Sequence, residues 1–211
     1  METHIYLIRH GETAWNKEKR VQGHKDMPLS SAGEEQARRL GQRFSKQEIS
    51  AVYSSDLTRA VQTAEYVAGD RTLIVGRMVE FRERYMGDWE GLLIAEVKKR
   101  HPGEWEEVWH RGGKYGVEST EEVKDRMIAK LQRLIVRHPG ERIVVVSHGG
   151  AINGVLEEVS EGVHGPGRTR IRNTAVSHLV FQPKHGWHVK QVNCAAHLEA
   201  PPAEPHPSEP L

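Results

Sequence analysis

Two arginines and two histidines in this chain could together hold and attack a phosphoryl group. Arg9 and His10 follow an apolar run, His148 follows a second apolar run, and Arg59 lies in the first turn of a predicted helix. Arginine presents a planar fork of donors that suits phosphate oxygens, and it stays charged at physiological pH. A neutral imidazole can attack phosphorus and form a phosphohistidine, which divides one difficult displacement into two easier steps. These residues therefore indicate phosphoryl transfer, with one of the two histidines as the nucleophile.

The elements that must position these residues are predicted strands. Residues 5–8 are too few for a free helix and rich in β-branched and aromatic side chains, so they predict a buried strand. Gly11 then allows the chain to turn sharply. Residues 143–146 give the clearest prediction of a central strand in the sequence, and this strand continues into Ser147-His148-Gly149-Gly150. Both histidines are thus expected at strand ends, where α/β sheets usually build their active sites.

Hydrophobic periodicity and capping residues predict the remaining elements. Ser31 with Glu34, and Ser119 with Glu122, have the spacing of capping boxes, and residues 54–56 can cap the helix that carries Arg59. The pattern predicts helices over 31–47 and 94–109, and a further helix that follows Gly150 and ends at 159. It predicts strands over 49–53, 73–75, 176–181 and 187–192.

This order of elements predicts a fold class and a domain organisation. Strands that alternate with helices indicate an α/β protein, with a mostly parallel sheet covered by helices on both faces. We predict one domain over residues 1–199. Residues 200–211 are rich in proline and polar residues, with little apolar surface to bury, and are predicted to be a disordered tail.

Composition narrows the classes of partner. The 211 residues carry a formal net charge of +1, which argues against nucleic-acid or membrane binding but allows a local basic pocket. No apolar stretch approaches the roughly 20 residues of a membrane span. The N-terminus runs into a strand without a signal-peptide pattern, so we expect a cytoplasmic protein.

Cysteine and histidine usage argues against disulfide and metal chemistry. The lone Cys194 has no internal partner, and we expect it to be a small buried side chain. His185 and His188 lie around a predicted turn with no cysteine or carboxylate cluster at ligand spacing. We therefore expect neither a bound metal nor another cofactor.

The motifs resemble those of the histidine phosphatase superfamily, in its phosphoglycerate mutase-like branch. They occur in the family's order and span nearly the whole predicted domain, so their joint occurrence is specific. The motifs are Leu7-Ile8-Arg9-His10-Gly11-Glu12-Thr13 with Asn16, Gln22-Gly23, Ser54-Ser55-Asp56-Leu57 with Arg59-Ala60 and Gln62-Thr63-Ala64, Phe81-Arg82-Glu83, Gly87-Asp88-Trp89-Glu90-Gly91, and Ser147-His148-Gly149. The resemblance implies the three-layer α/β/α sandwich of the phosphoglycerate mutase-like fold.

The resemblance also assigns roles within the reaction. It implies that His10 is phosphorylated while Arg9, Arg59 and His148 hold the phosphoryl oxygens. Glu83 would protonate the leaving alkoxide in the first step and deprotonate water in the second, so that one carboxyl group serves both.

A second group of residues is implied to bind the phosphoryl group or the adjacent substrate. Asn16, Gln22, Gly23 and Gly149 belong to this group, and Thr13 would orient the first loop.

Each of these roles has a structural alternative. Arg59 could be a surface cation, and Glu83 could be a solvated member of the charged stretch 80–84. Trp89 is expected to pack rather than to catalyse. The protein as a whole also has a non-enzymatic alternative, an inactive module that docks a phosphorylated protein. The intact set of catalytic residues argues against this alternative.

The family contains both hydrolases and mutases, and this chain departs from the mutase pattern. After Glu83 it has Arg84-Tyr85-Met86-Gly87 where the mutases have Arg-His-Tyr-Gly. The stretch 92–147 is short and contains no Arg-Arg run of the kind with which mutases grip phosphoglycerate. Lacking a second carboxylate-binding set, the chain is expected to use water as the acceptor and to release inorganic phosphate.

The leaving group is not identified by the sequence. We expect a small phosphomonoester, such as a sugar phosphate, a phosphorylated three-carbon acid, phosphoserine or a ribazole phosphate. The segment 105–115 is predicted to overhang the cleft and influence specificity, and Val117, where relatives often have glycine, alters the edge of that lid. The sequence does not distinguish a monomer from a homodimer.

Overall fold

A six-stranded sheet lies at the centre of the computed structural model, which describes residues 1–199. The strands are β1 (Thr3–Arg9), β2 (Ala51–Ser54), β3 (Gly76–Arg77), β4 (Arg142–Ser147), β5 (Val176–Gln182) and β6 (Gly186–Cys194). Their order across the sheet is β3-β2-β4-β1-β5-β6. The first four are parallel, and β5 and β6 form an antiparallel edge, so the predicted mostly parallel sheet is confirmed. The predicted tail, 200–211, lies outside the described residues.

The pairing of β1 with β4 places the two histidines at the same end of the sheet. The strands are parallel, and Arg9 lies opposite Ser147 at the last position of the ladder. Residues 143–146 of β4 are fully buried because helices cover both faces of the sheet there. The chain leaves each strand directly into His10 or His148, so both side chains start from a rigid base.

Two layers of helices enclose the sheet, which confirms the α/β/α sandwich. The helices are α1 (Ala14–Lys17), α2 (Ser31–Phe44), α3 (Thr58–Ala68), α4 (Ile94–Arg100), α5 (Trp105–Arg111), α6 (Thr120–Arg137) and α7 (Gly149–Val159). Helices α2 and α3 pack on one face, with Ala37, Leu40 and Phe44 buried at helical spacing. Helices α6 and α7 pack on the other face. No helix within residues 1–199 is long and apolar enough to cross a membrane.

Helix starts differ from the sequence predictions in two places. Ser30 rather than Ser31 caps α2, its hydroxyl accepting from the backbone N–H of Gly33 at 3.1 Å, and the helix ends at 44 rather than 47. Helix α3 has no cap from residues 54–56. Instead, the carboxylate of Asp26 accepts the N–H of Thr58 at 2.7 Å. The predicted capping box at the start of α6 is confirmed.

Two predicted elements in the middle of the chain are wrong. The helix expected over 94–109 is two helices, because His101 precedes Pro102 and leaves the helical conformation, with φ −130° and ψ 58°. The strand expected over 73–75 is displaced to Gly76–Arg77: Leu73 and Val75 pack against the core without pairing in the sheet, and Ile74 is 91% exposed. At the other end of the sheet, Cys194 is half-buried, whereas we expected it to be buried.

A third, smaller core lies beneath α4 and α5. It contains Val21, Met86, Trp89, Val97 and Val108, all buried. Trp89 is only 1% exposed, in agreement with the packing role expected for it. This cluster ties the outer helices to the loop after β1, so that α5 forms one wall of the cavity described below.

Candidate active site

His10 lies at the end of β1 with its imidazole almost wholly buried. Its Nδ1 is 2.6 Å from the carbonyl oxygen of Gly11. Because a carbonyl can only accept, Nδ1 carries the proton and Nε2 keeps its lone pair. Burial, and then the charges of Arg59 and Arg9, hold the pKa of His10 well below its usual range. The ring is therefore a neutral imidazole with a fixed tautomer, as a nucleophile requires.

Gly11 has a packing role at this turn. A Cβ at Gly11 would lie 2.6 Å from the backbone oxygen of Gly33, at the start of α2. A glycine at 11 thus allows α2 to lie directly against the loop that carries the nucleophile.

His148 lies at the end of β4 and faces His10. The two ring centroids are 5.0 Å apart, and the Nε2 of His148 is 2.7 Å from the hydroxyl of Ser55. Its buried Nδ1 has no hydrogen-bond partner among residues 1–199. Burial and the charge of Arg59 hold the pKa of His148 well below its usual value. In the tautomer in which Nε2 accepts from the Ser55 hydroxyl, the proton lies on Nδ1, which can donate it to an anion.

Arg9 and Arg59 are anchored by backbone carbonyls rather than by carboxylates. Arg9 donates to the carbonyl of Ile171 at 2.7 Å, and Arg59 donates to those of Gly23 and Lys25, both at 2.8 Å. The Nε of each arginine is buried and unpartnered within the described part of the chain. Burial lowers the pKa of Arg59 to about 10, so the guanidinium remains charged at neutral pH.

Glu83 is held at the N-terminus of α7. Its Oε2 accepts from the N–H of Gly150 at 3.0 Å, while Oε1 accepts from Ala151 at 3.0 Å and from Arg84 at 2.8 Å. A Cβ at Gly150 would lie 2.6 Å from Oε1. The absence of a side chain at 150 thus allows the carboxyl group to reach the helix terminus.

The second group of predicted residues lies along the loop after β1. Thr13 is fully buried, donates to Gln22 Oε1 at 2.9 Å and caps α1 together with Asn16. Gly23 has a φ of +53°, which allows its carbonyl to hold Arg59. Asn16, Gln22, Gly23 and Gly149 line the cavity, whereas Thr13 does not and instead hydrogen-bonds to Asn16 and Gln22.

These side chains converge on one cavity of about 570 Å³. Arg9, His10, Arg59 and Glu83, all buried or half-buried, form its inner end, and Trp109 of α5 also lines it. His148 lies behind this surface, in ring contact with His10. The structure therefore brings together all five predicted catalytic residues.

Several residues that support the site carry no role in the sequence analysis. Ser55 orients His148, and Asn173 donates to the carbonyl of His10 at 3.0 Å. The hydroxyl of Ser55 could have been suspected from its motif. Asn173 gives no local signal, because it comes from a distant loop.

Arg126 on α6 supports Glu83 from behind. Its guanidinium donates to the carbonyls of Glu80, Arg82 and Glu83 at 2.6, 2.9 and 3.0 Å, and it pairs with Glu118. One side chain thus fixes the backbone of the whole segment that presents the carboxyl group.

Within residues 1–199, no group of three or more histidine, cysteine, aspartate or glutamate side chains is arranged to hold a metal ion. The donors at the inner end are cationic or N–H groups, which repel metal cations and attract phosphate.

Comparisons with known proteins agree with this geometry. A family model described as histidine phosphatase superfamily (branch 1) matches residues 5–195. Phosphoglycerate mutase-like protein 4 of Arabidopsis thaliana is 38% identical over 203 residues, which cover 92% of this chain and 86% of that protein. The uncharacterized phosphatase PhoE of Bacillus subtilis is 34% identical over 196 residues, 93% and 97% of the two chains. The solved structure of Bacillus stearothermophilus YhfR has a TM-score of 0.86 at 31% identity, covering 93% of this chain and 100% of that one.

Proposed function

Since the chain belongs to the histidine phosphatase superfamily, we propose that it is a metal-independent phosphomonoesterase that acts through a phosphohistidine on His10. The observation that carries this proposal is the state of His10, a buried neutral imidazole whose Nδ1–H is bound by the Gly11 carbonyl. It is accompanied by Arg9 and Arg59, whose hydrogen bonds within the described residues go to backbone carbonyls. This arrangement leaves a nucleophilic lone pair inside a positively charged pocket.

In the first step, Nε2 of His10 attacks phosphorus and the bond from phosphorus to the leaving oxygen breaks. Arg9, Arg59 and the Nδ1–H of His148 neutralise the charge that spreads over the phosphoryl oxygens. Glu83 gives its proton to the leaving alkoxide, which departs as an alcohol. We assign the transfer to Oε2, because this oxygen accepts one backbone N–H while Oε1 accepts two.

In the second step, water takes the place of the departed alcohol. The Glu83 carboxylate removes a proton from the water, which attacks phosphorus as the bond to Nε2 breaks. The electron pair returns to the imidazole, and inorganic phosphate leaves. The residue that acted as acid now acts as base, and the enzyme regains its starting protonation state.

Exposure at the cavity mouth favours hydrolysis over mutase activity. A mutase must keep water away from its phosphohistidine until the second acceptor is in place. Here Lys19, Arg168 and Arg170 line the mouth and are exposed, so water reaches the cavity. Relatives carry both mutase and phosphatase names, and the mutase is therefore the second candidate.

Product analysis separates these two candidates. We expect 3-phosphoglycerate to yield inorganic phosphate without 2-phosphoglycerate. A 32P-labelled substrate, quenched in base, is expected to leave acid-labile label on the peptide that contains His10. Interconversion of the two phosphoglycerates with little phosphate release would establish the mutase instead. No turnover of any ester with the chelator EDTA present, despite phosphate binding, would favour a non-catalytic phosphoprotein-binding module.

A further inference from the structure

His24 forms a hydrogen bond to the backbone of Glu83 from outside the cavity. Its Nε2 lies 2.7 Å from the carbonyl oxygen of Glu83, and because a carbonyl can only accept, this nitrogen carries a proton and donates it. His24 is not among the described residues that line the cavity; it lines a separate, open groove together with Tyr85. It therefore acts on Glu83 from a position where it does not contact a substrate bound in the cavity.

The neighbours of His24 hold its ring and its main chain in place. The half-buried ring packs against Tyr85, with the two ring centroids 5.3 Å apart. The backbone N–H of His24 donates to Oε1 of Glu90 at 2.7 Å, and the same oxygen accepts from the N–H of Met86 at 3.2 Å. A Cβ at Gly23 would collide with this carboxyl group. Glu90 thus joins the loop of His24 to the segment that carries the catalytic carboxyl group.

The residues on either side of His24 anchor an arginine of the phosphoryl site. Arg59 donates to the carbonyls of Gly23 and Lys25, and both donor–acceptor distances are 2.8 Å. One short loop thus holds Arg59 through its main chain and Glu83 through an imidazole. Movement of this loop relative to Glu83 would change the distance between a bound phosphoryl group and the carboxyl group.

The bond from His24 differs in origin from the one made by Arg126. Arg126 also donates to the carbonyl of Glu83, at 3.0 Å, but it comes from α6. It therefore fixes Glu83 relative to the helical layer, whereas His24 fixes Glu83 relative to Arg59. A general acid must lie within a fraction of an ångström of its productive position, so the second of these relations bears directly on the chemistry.

We propose that His24 is a positioning residue for proton transfer by Glu83. Its Nε2–H bond to the Glu83 carbonyl keeps the carboxyl group at a fixed distance from the phosphoryl group that Arg59 holds. The proton on Nε2 stays in place throughout, so His24 takes no part in making or breaking bonds. This inference rests on the proposed phosphatase activity. Loss of the bond should weaken protonation of the leaving group and leave the nucleophile and the arginines in place.

Two substitutions of similar size isolate this hydrogen bond. Glutamine at 24 places an N–H donor at about the reach of the histidine Nε2, whereas methionine fills a similar volume without a donor. His24→Gln is therefore compared with His24→Met. Lys114→Gln is the control, because Lys114 is exposed and lines the same groove but pairs with Glu104.

The measurement is kcat/KM for phosphate release from a series of monoesters that runs from p-nitrophenyl phosphate to alkyl phosphates. This constant reports the steps up to the phosphohistidine, and alkyl leaving groups depend most on protonation. We expect His24→Met to lose about tenfold on alkyl phosphates but less than about twofold on p-nitrophenyl phosphate, the effect of a misplaced proton donor. His24→Gln and Lys114→Gln should stay within about twofold of the natural chain on every ester.

Inhibition by inorganic phosphate is the second readout. Its inhibition constant should change by less than about twofold in all three variants, because the main chain of the loop still holds Arg59. A change in the leaving-group dependence without a change in phosphate binding is what a positioning role predicts and a general loss of structure does not.

Equal losses on alkyl and aryl esters in His24→Met would overturn the inference, and so would no loss at all. An alkyl loss in His24→Gln as large as that in His24→Met would also overturn it, since the donor would then be irrelevant. If His24→Met does not fold, His24→Asn, whose donor lies one bond closer to the main chain, takes its place. Failure of the underlying function gives a different result: the natural chain itself would release no phosphate from p-nitrophenyl phosphate.

Discussion

The inner end of the cavity and its mouth are built in different ways. At the inner end, His10 and His148 extend from paired central strands, and backbone or hydroxyl groups fix their rings. At the mouth, Trp109 belongs to the seven-residue helix α5, and Arg168 and Arg170 lie in the segment between α7 and β5, outside any helix or strand. The proposed mechanism thus places bond-making where the sheet prevents movement, and it places substrate recognition where the sequence can change without disturbing the sheet.

Removing the nucleophile is the strongest test of this division. His10→Ala should abolish turnover of p-nitrophenyl phosphate in EDTA by at least about 10³-fold, because no other group replaces the covalent acceptor. His185→Ala, at an exposed position in the turn before β6, is the matched control and should retain full activity. Activity of His10→Ala within tenfold of the natural chain would contradict the covalent mechanism.

Removing the proton donor should have a smaller effect that depends on the substrate. Glu83→Gln keeps the size of the side chain and an oxygen that can accept from α7, but it cannot donate an acidic proton. We expect turnover of alkyl phosphates to fall by about 10²-fold and that of aryl phosphates much less, since aryl leaving groups need little protonation.

Glu80→Gln is the control for this prediction. Glu80 lies in the same charged stretch and pairs with Lys130 instead of lining the cavity. Equal losses for alkyl and aryl esters in Glu83→Gln would remove Glu83 from the acid role, and similar losses in Glu80→Gln would show that the stretch matters only for structure.

A single methyl group should move the carboxyl group without touching the nucleophile. In Gly150→Ala the new Cβ would lie 2.6 Å from Oε1 of Glu83, so the carboxyl group must shift. We expect kcat for alkyl phosphates to fall by about tenfold, with little change in melting temperature, because misplacement of a catalytic group by a fraction of an ångström is costly.

Gly154→Ala is a matched control on the same helix. There the nearest atom to a new Cβ is Lys124 Cβ at 3.5 Å, an ordinary contact. If both substitutions reduced activity alike, general disturbance of α7 would explain the result. If neither did, the position of Glu83 on the helix terminus would be irrelevant to catalysis.

The sequence predicts the inner end better than the mouth, because the inner end depends on local patterns. Residues 143–146 of β4 are apolar, and His148 directly follows the last residue of the strand, Ser147, so its position at a strand end could be inferred without the fold. His10 follows β1 in the same way. The family motifs then supplied Arg59 and Glu83, whose own surroundings in the sequence also fit a surface location.

What could not be predicted depends on contacts between distant parts of the chain. Asp26 caps α3 from 32 residues away, and Asn173 reaches the His10 carbonyl across 163 residues. Arg84 looks like one of several surface charges until the fold buries it beneath Trp109. The two-residue strand β3 is too short to produce a periodic signal, and so its predicted position was wrong.

Mild acid should have the smallest effect on activity. It tests whether the buried inner end of the cavity keeps His10 neutral. Burial, and then Arg59 and Arg9, lower the pKa of His10. A lowered pKa means that the neutral, nucleophilic form persists as the pH falls below the usual value of about 6.5. In single-turnover experiments at saturating substrate, we expect phosphohistidine formation to slow by less than about threefold between about pH 7.5 and about pH 5.5, whereas an ordinary histidine would lose about tenfold. Trp109→Ala, which alters the mouth, should leave the shape of this profile unchanged. A tenfold loss in the natural chain would mean that burial and the two arginines do not keep the nucleophile neutral, and the separation between a protected inner end and an adaptable mouth would fail at the nucleophile itself.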